Sequence, residues 1–388
     1  MKNLLVFDTI EIILAGVTAT LFIIQILYYL VAYARPYHRA KKAKAPENST
    51  QPPVSVIIYT KNESANLGKH LPCILSQEYP DYEVIVVNDG STDESDEVLN
   101  LFENEYKNLY HTYIPEGVKY LSRKKLALTV GIKAAKHELL LFTEVNCEPI
   151  SPQWIASMMR NYSQETQIVL GFCSYGVHKG FLHKLIAYDN LLLGLQYISS
   201  TLNGHPYTGN GRNLSYRKEL FFAHKGYYKS LSLHAGDDDL FVNELANGKN
   251  TRVDYTPESI TQMAQVDCFN VWKEMKVSRA ATQRYYKGGT LAFYRTEGVS
   301  FFLFLIAAAT SIVVGVMGNW LIAAFAVLLY LLRLTVKTVV MYKSASLLQQ
   351  KPALFSLPIL ELIQPLFNLY VRIYRIFRGK NDYTFRIA

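Results

Sequence analysis

The sequence predicts an α/β protein: a mostly parallel sheet flanked by helices, with transmembrane α-helices at both ends of the chain. Three observations carry this reading. Short apolar runs alternate with helical patterns between residues 54 and 142, the order that builds parallel sheets covered by helices. An apolar stretch long enough to cross a bilayer lies near the start of the 388-residue chain. Two more follow residue 300.

Residues 10–34 (IEIILAGVTATLFIIQILYYLVAYA) hold one charge, Glu11, ahead of an unbroken apolar run. A cleaved signal peptide is the competing reading. The run, however, exceeds a usual h-region, lacks a basic n-region and shows no clear small-residue cleavage site. Residues 1–34 are therefore expected to hold a membrane helix. Arg35, Arg39, Lys41, Lys42 and Lys44 follow it directly. Basic residues stay on the cytoplasmic side, so the amino terminus should face out and the middle of the chain should lie in the cytoplasm. The formal charge of +8 owes part of its size to this cluster, which also suits anionic membrane lipid. No nucleic-acid-binding motif accompanies the charge, so nucleic acid is not an expected partner. The cysteines Cys73, Cys147, Cys173 and Cys268 form no CxxC pair and read as reduced thiols.

Residues 35–53 read as a basic cytoplasmic linker, its polar, proline-bearing part being APENSTQPP at 45–53. A cytoplasmic domain is expected over 54–267. VSVIIY (54–59), YEVIVVN (82–88) and ELLLF (138–142) read as buried strands; 66–77, 95–106 and 123–136 read as helices. Residues 268–290 form a basic amphipathic stretch with Trp272, Tyr285 and Tyr286, suited to the headgroup layer. Residues 300–342 read as a hairpin of two membrane helices. The apolar stretch at 354–371, within the segment 352–388, contains Glu361, Gln364, Pro365 and Asn368 and precedes Arg372, Arg375, Arg378 and Lys380. A full crossing would place that basic tail outside, so a re-entrant or interfacial helix is expected.

Ligands of parallel sheets bind beyond the carboxyl ends of the strands. After the first strand come Tyr59, Thr60, Lys61, Asn62 and Glu63. After the second comes NDGSTD, with Asp89 at the strand tip and Gly90 permitting a tight turn. Asp89 can accept hydrogen bonds from a base or ribose; an ordinary capped turn reads equally well. Lys124 and Lys125 open a helix and can face phosphates, or form a solvated basic helix end. Glu144 and Asn146 then follow a third strand, one residue apart, a layout suited to a divalent cation holding a diphosphate. Further on, GDDDLF (236–241) sets Asp237, Asp238 and Asp239 side by side. Three adjacent carboxylates raise at least one pKa toward the range of a general base, although Asp at a helix start is favourable in its own right.

In this order the motifs resemble the family 2 glycosyltransferases, nucleotide-sugar enzymes with a GT-A fold, and most closely their membrane-bound, synthase-like branch. The resemblance covers roughly residues 52–290. It implies a donor site that includes Thr60, Asn62, Glu63, Asp89, Lys124 and Lys125, with Asp89 on the uracil side. It aligns the family's Asp-x-Asp with Glu144-Val145-Asn146, where this sequence departs. YTGNGRNLSYRKELF (207–221) is similar to the glycine-rich acceptor-side segment. GDDDLF resembles the acidic signature, with Asp238 as the general base beside Asp237 and Asp239. The family's last motif, Gln-x-x-Arg-Trp, which contacts the donor diphosphate or the acceptor, has no perfect copy: Arg279 is the preferred match and Arg284 the reserve, and both join Glu144 among the nucleotide-sugar-binding residues the resemblance implies.

The resemblance thus implies an inverting hexosyltransferase at the cell membrane. Its donor is a nucleotide sugar, UDP-linked by preference, and its acceptor is lipid-linked or a polysaccharide, as in cell-envelope polysaccharide biosynthesis. The catalytic domain is expected in the cytoplasm, with membrane lipid as a partner. The cofactor implied is a divalent cation, Mg²⁺ or Mn²⁺, at Glu144 and Asn146. Asn offers only a neutral carbonyl oxygen, so this cation is expected to bind weakly and to be needed at raised concentration. The rival reading is a catalytically impaired nucleotide-sugar-binding or scaffold subunit. A dinucleotide-dependent oxidoreductase is excluded, because the place after the first strand that requires Gly-x-Gly-x-x-Gly holds YTKNES.

Overall fold

A computed structural model describes residues 7–42, 51–115, 122–177, 179–264, 266, 268–351 and 354–378. Lys44, most of the 45–53 segment and the basic tail from 379 onward lie outside the described residues.

The strands are β1 (Val54–Thr60), β2 (Tyr82–Asn88), β3 (Leu109–Tyr113), β4 (Leu139–Glu144), β5 (Cys147–Pro149), β6 (Ile168–Leu170), β7 (Cys173–Tyr175), β8 (Leu214–Arg217), β9 (Thr251–Val253) and β10 (Thr261–Met263). Seven of them form one sheet in the order β3-β2-β1-β4-β8-β6-β9. The β3-β2-β1-β4 half is parallel, and β8 runs antiparallel to both β4 and β6. A small sheet, β5-β10-β7, stands beside it. In the main sheet Thr60 pairs with Asn88 and Tyr59 with Glu144. The carboxyl tips of β1, β2 and β4 therefore end level, along one rim.

Helices α1 (Thr9–Leu27), α2 (Arg35–Lys42), α3 (Ser64–Leu75), α4 (Ser95–Glu105), α5 (Arg123–Ala134), α6 (Trp154–Met159), α7 (Phe181–Leu202), α8 (Lys218–Ala223), α9 (Asp239–Leu245), α10 (Phe269–Thr282), α11 (Thr290–Met317), α12 (Trp320–Leu347) and α13 (Leu357–Phe377) complete the chain. Successive strand residues point to opposite faces, and both faces are buried. Ile57, Ile85, Val87, Leu140 and Phe142 pack with Ala127, Leu128 and Ile132 of α5. Val56, Ile58, Val84, Val86 and Leu141 pack with Leu67, Leu71 and Ile74 of α3. Gly131 lets α5 approach closely: a Cβ there would lie 2.9 Å from Ile57 Cγ2.

Three helical stretches among the described residues are long and apolar enough to span a membrane: Thr9–Tyr33, Thr290–Met317 and Trp320–Leu347. They meet through apolar packing and a few buried polar contacts, as expected where lipid supplies no hydrogen bonds. Thr18 Oγ1 lies 3.0 Å from Ser311 Oγ, and Gln25 Nε2 donates to Ser300 Oγ at 2.7 Å. Glu11, the one charge in the first apolar stretch, accepts from the Asn319 amide at 3.1 Å and so satisfies the turn between α11 and α12. The α10 and α13 helices stack Trp272 on Phe367, centroids 4.5 Å apart.

Helix boundaries shift slightly from expectation: α3 begins at Ser64 rather than 66, and the basic segment after the first span opens as helix α2. The 22-residue α7 was not anticipated. Its buried residues lie all around it, so it lacks the polar stripe that makes a surface helix readable.

Candidate active site

The level tips of β1 and β4 place Tyr59 beside Glu144, and α5 brings Lys124 over them. Lys124 Nζ lies 3.1 Å from Asp237 and 3.5 Å from Glu144. Burial opposes its charge, but Asp237 and Glu144 outweigh that and hold its pKa above the ordinary lysine value. On the other side, β8 pairs antiparallel with β4, Leu214 opposite Phe142. The same register sets Arg212 against Glu144, and Arg212 Nε donates to Glu144 Oε2 at 2.8 Å. Burial favours the neutral acid, yet Arg212 and Lys124 prevail and lower the Glu144 pKa to about 2.

The acidic run opens α9. Asp238, its N-cap, is the least buried of the three. Its Oδ2 accepts from the Gly211 amide at 2.8 Å and its Oδ1 from the Asp239 amide at 2.7 Å. Both contacts orient the carboxylate without neutralising it. Asp237 is committed to Lys124. Asp239 is buried, accepting from the Thr282 hydroxyl and from Tyr286 Oη at 2.8 Å. Tyr59, Lys124, Glu144, Gly211, Asp237 and Asp238 line one small recess. It adjoins a cavity of about 710 Å³ that shares Lys124, Glu144, Asp237 and Asp238 and adds Arg212, Asp239 and Arg279.

The remaining nucleotide-side residues form a corner next to this recess. Asp89 is buried, with Arg123 Nε at 2.5 Å and Lys61 Nζ at 3.6 Å, and accepts from Tyr59 Oη at 3.0 Å. Tyr59 thus connects Asp89 to the recess. Asn62, at φ +53°, crosses to the second loop: its amide donates to Ser91 Oγ, and its Oδ1 accepts from the Thr92 amide, both at 2.8 Å. The Glu63 amide faces Ser95 Oγ at 3.3 Å. Thr60 Oγ1 is buried without a hydrogen-bond partner.

Residues 55–222 match the family model Glycosyl transferase family 2. The chain carries a family 2 glycosyltransferase domain. Poly-beta-1,6-N-acetyl-D-glucosamine synthase of Staphylococcus epidermidis is 31% identical over 120 residues, which are 31% of this chain and 28% of that protein. Glycosyltransferase AglE of Haloferax volcanii is 37% identical over 110 residues, 28% of this chain and 34% of that one. The match therefore spans about a third or less of these curated relatives' lengths. Among solved structures, the mannosyltransferase PcManGT from Pyrobaculum calidifontis, in complex with GDP-Man and Mn²⁺, aligns with a TM-score of 0.57 at 17% identity. That alignment covers 87% of this chain and 99% of that chain. It establishes a shared GT-A fold.

Three residues of this glycosyltransferase domain and its flanking helix stand elsewhere than expected. Lys125 turns away from the site and is buried, donating to the carbonyls of Ser230, Leu233 and Ala235 at 2.5, 2.9 and 2.8 Å. Neighbouring helix residues point about 100° apart, so only one of the two lysines can face the rim. Arg284 lies past the end of α10, exposed in the short turn Gln283–Tyr285. Asn146 sits in the turn after β4 and lines neither cavity.

The last point bears on the cation. Both Glu144 oxygens are taken by protein cations, Arg212 on Oε2 and Lys124 on Oε1. Among the described residues no group of three His, Cys, Asp or Glu could hold a metal. A Mg²⁺ or Mn²⁺ ion at Glu144 and Asn146 would have to share the carboxylate with these two cations. One carboxylate already shared by two cations, beside an amide whose Oδ1 accepts from the Cys147 thiol at 3.4 Å, is a poor donor set for a hard divalent ion. Arg212, which takes that place, was missed. Its signal was the GNGRN segment, but its partner depends on the antiparallel β4–β8 pairing.

Asp239 supplies a pH test. Burial, then the Asp238 charge, push its carboxyl up to about 6, against Thr282, Arg279 and Tyr286. The folded value exceeds the unfolded one, so protonation favours the folded state. This contribution is complete below the unfolded pKa near 4 and is lost as pH rises through about 6. Across that window, unfolding should show the wild type losing up to about 3 kcal/mol relative to Asp239→Asn. Parallel pH profiles for the two proteins would reject the assignment.

Proposed function

We propose that this chain is a membrane-bound inverting glycosyltransferase, moving a sugar from a nucleotide sugar, UDP-linked by preference, to a lipid-linked or polysaccharide acceptor on the cytoplasmic face. One observation supports this above all: an oriented, accessible Asp238 shares a cavity with the Lys124–Glu144–Arg212 cluster, and that cavity runs on to the membrane helices. The basic residues Arg35, Arg39 and Lys41, which follow the first span, support the cytoplasmic placement. The UDP preference rests on the family resemblance.

In this reading the donor base lies toward Asp89, and the diphosphate lies against Lys124 and Arg212. Those two groups stabilise the charge that builds on the departing diphosphate. Asp238 takes the proton of the acceptor hydroxyl as its oxygen bonds to the anomeric carbon. The bond from that carbon to the diphosphate oxygen breaks on the opposite side, which inverts the centre. No step is routed through a metal ion.

Titration of the full-length protein with UDP, GDP and their sugars tests this reading. Saturable UDP binding is expected, weakened at least about tenfold in Lys124→Met, since a charge-assisted contact contributes about 1.5–3 kcal/mol. Because protein cations occupy Glu144, excess chelator should weaken it by no more than about threefold. No nucleotide binding under any condition would end the proposal. Binding that collapses in chelator and returns with Mn²⁺ would restore the metal site.

A further inference from the structure

The large cavity does not stop at the catalytic carboxylates. It continues between α10, α11 and α13, where Val299 and Phe302 of α11 face Leu366 and Leu369 of α13. Val299, Leu366 and Leu369 are each more than half exposed, so the cavity has an apolar, open mouth. At 1.5 Å per residue, the 28 residues of α11 reach about 42 Å against a hydrocarbon core of about 30 Å. Its polar first turns, Thr290 to Glu297, therefore project into the headgroup layer beside α13.

The cavity wall is electrostatically uneven. Beyond the catalytic end its acidic groups are matched. Asp189 holds Lys276 at 2.5 Å and accepts from Gln364 at 2.9 Å; Glu274 pairs with Arg378; Glu297 accepts from Tyr29 Oη at 2.9 Å. Three guanidinium groups on the same wall have no carboxylate in contact among the described residues: Arg279, Arg295 and Arg372. Arg295 donates only to the Gln283 amide oxygen, at 3.1 Å. Arg279 feels the charges of Asp238 and Asp239, which ties the cluster to the catalytic end. Burial, then Arg295 and Arg375, hold the Arg372 pKa below its ordinary value. Arg295 and Arg372, close together at the edge of the membrane with no carboxylate in contact among the described residues, form with Arg279 a receptor for a polyanion.

We propose that this cavity receives a membrane lipid whose head is doubly charged, a diphosphate or a terminal phosphate, admitted between α11 and α13 and gripped by Arg295, Arg372 and Arg279. The inference rests on the glycosyltransferase reading and narrows its acceptor. The lipid chain lies along the Val299–Leu366 mouth, and its phosphate meets the guanidinium groups. A hydroxyl borne beyond the phosphate reaches Asp238, which takes its proton as the oxygen bonds to the anomeric carbon and the nucleoside diphosphate departs. A polysaccharide without a lipid anchor would have no use for the apolar mouth.

The test uses full-length protein in phosphatidylcholine nanodiscs, doped equally with phosphatidic acid (a phosphomonoester) and phosphatidylglycerol (a phosphodiester). Lipid retained after release is read by native mass spectrometry, and UDP binding is titrated on the same samples. The expected result is retention of phosphatidic acid over phosphatidylglycerol by about tenfold, a difference of about 1.4 kcal/mol. Arg295→Gln/Arg372→Gln should abolish the preference with UDP affinity kept. Gly298→Trp should abolish retention without changing any charge. A Cβ at Gly298, on the cavity wall, meets nothing within 4 Å, so the bulk enters the opening rather than the core. Equal retention of the two anionic lipids, or a preference that survives the arginine replacements, overturns the proposal. So does displacement of the lipid by soluble pyrophosphate at equal concentration, which would assign the guanidinium groups to the donor. Lost lipid preference with UDP binding intact counts against this inference alone. Absent UDP binding counts against the enzyme reading itself.

Discussion

Asp238→Asn reduces sugar transfer by about 10²–10⁴-fold, the usual contribution of a positioned general base, while the protein stays folded and still binds UDP. The amide keeps one oxygen to accept from the Gly211 or Asp239 amide, which now orient the carboxylate. What it loses is basicity. Neighbouring variants separate this effect from a general loss of negative charge. Asp239 faces Thr282 and Tyr286 rather than solvent, so Asp239→Asn should cost far less in rate. Asp237→Asn releases Lys124, and should act mainly on donor affinity. The measurement is turnover with a radiolabelled nucleotide sugar, alongside UDP titration of each variant. Transfer by Asp238→Asn within tenfold of wild type would remove Asp238 from the role of base.

Glu361→Leu destabilises the protein by about 3–5 kcal/mol, the cost of leaving a buried charge without its partner. Glu361 is buried, with Lys337 at 2.9 Å and Arg333 at 3.1 Å. Arg333 is fully buried; it also donates to Gln25 Oε1 at 2.9 Å and to Tyr29 Oη at 2.9 Å, and lies 4.2 Å from the Phe301 ring centroid. One carboxylate on α13 therefore neutralises two cations on α12, in a network that also reaches α1 and α11. Removing it strands both cations where water does not compensate them, and inside a helical bundle such groups are costly. Adding Arg333→Met should recover part of the loss, because the second change removes one stranded charge. Thermal unfolding in detergent reads both steps. A single variant as stable as wild type, or a double variant worse than the sum of its parts, would show that the network does not hold α13 to the bundle.

Much of the candidate site was readable before the fold. The apolar runs 54–59, 82–88 and 138–142 announced strands, and the strand-tip rule turned attention to Asp89, Lys124 and Glu144. All three lie at or beside the recess. Asp238 was picked out of three adjacent aspartates, and it is the one that stays accessible. What escaped was everything set by non-local pairing. Arg212 stands 68 residues from Glu144 and reaches it only because β8 enters the sheet antiparallel. Adjacency of Glu144 and Asn146 in the chain likewise says nothing about which cation arrives from another strand. The choice of Lys124 over Lys125 was likewise made by rotation about α5, whereas Arg279, already preferred to Arg284, does line the cavity.

Local chemistry alone thus determined the strand-helix alternation and the membrane stretches, because each is written in hydrophobic period or length, while the choice of Asp238 came from the family resemblance. Tertiary structure decided which charges meet. It set Arg212 and Lys124 on Glu144, enclosed Arg333 and Lys337 around Glu361, and left Arg295 and Arg372 with no contacting carboxylate among the described residues. Electrostatic partnership depends on distance in space and on burial, and neither follows from separation along the chain.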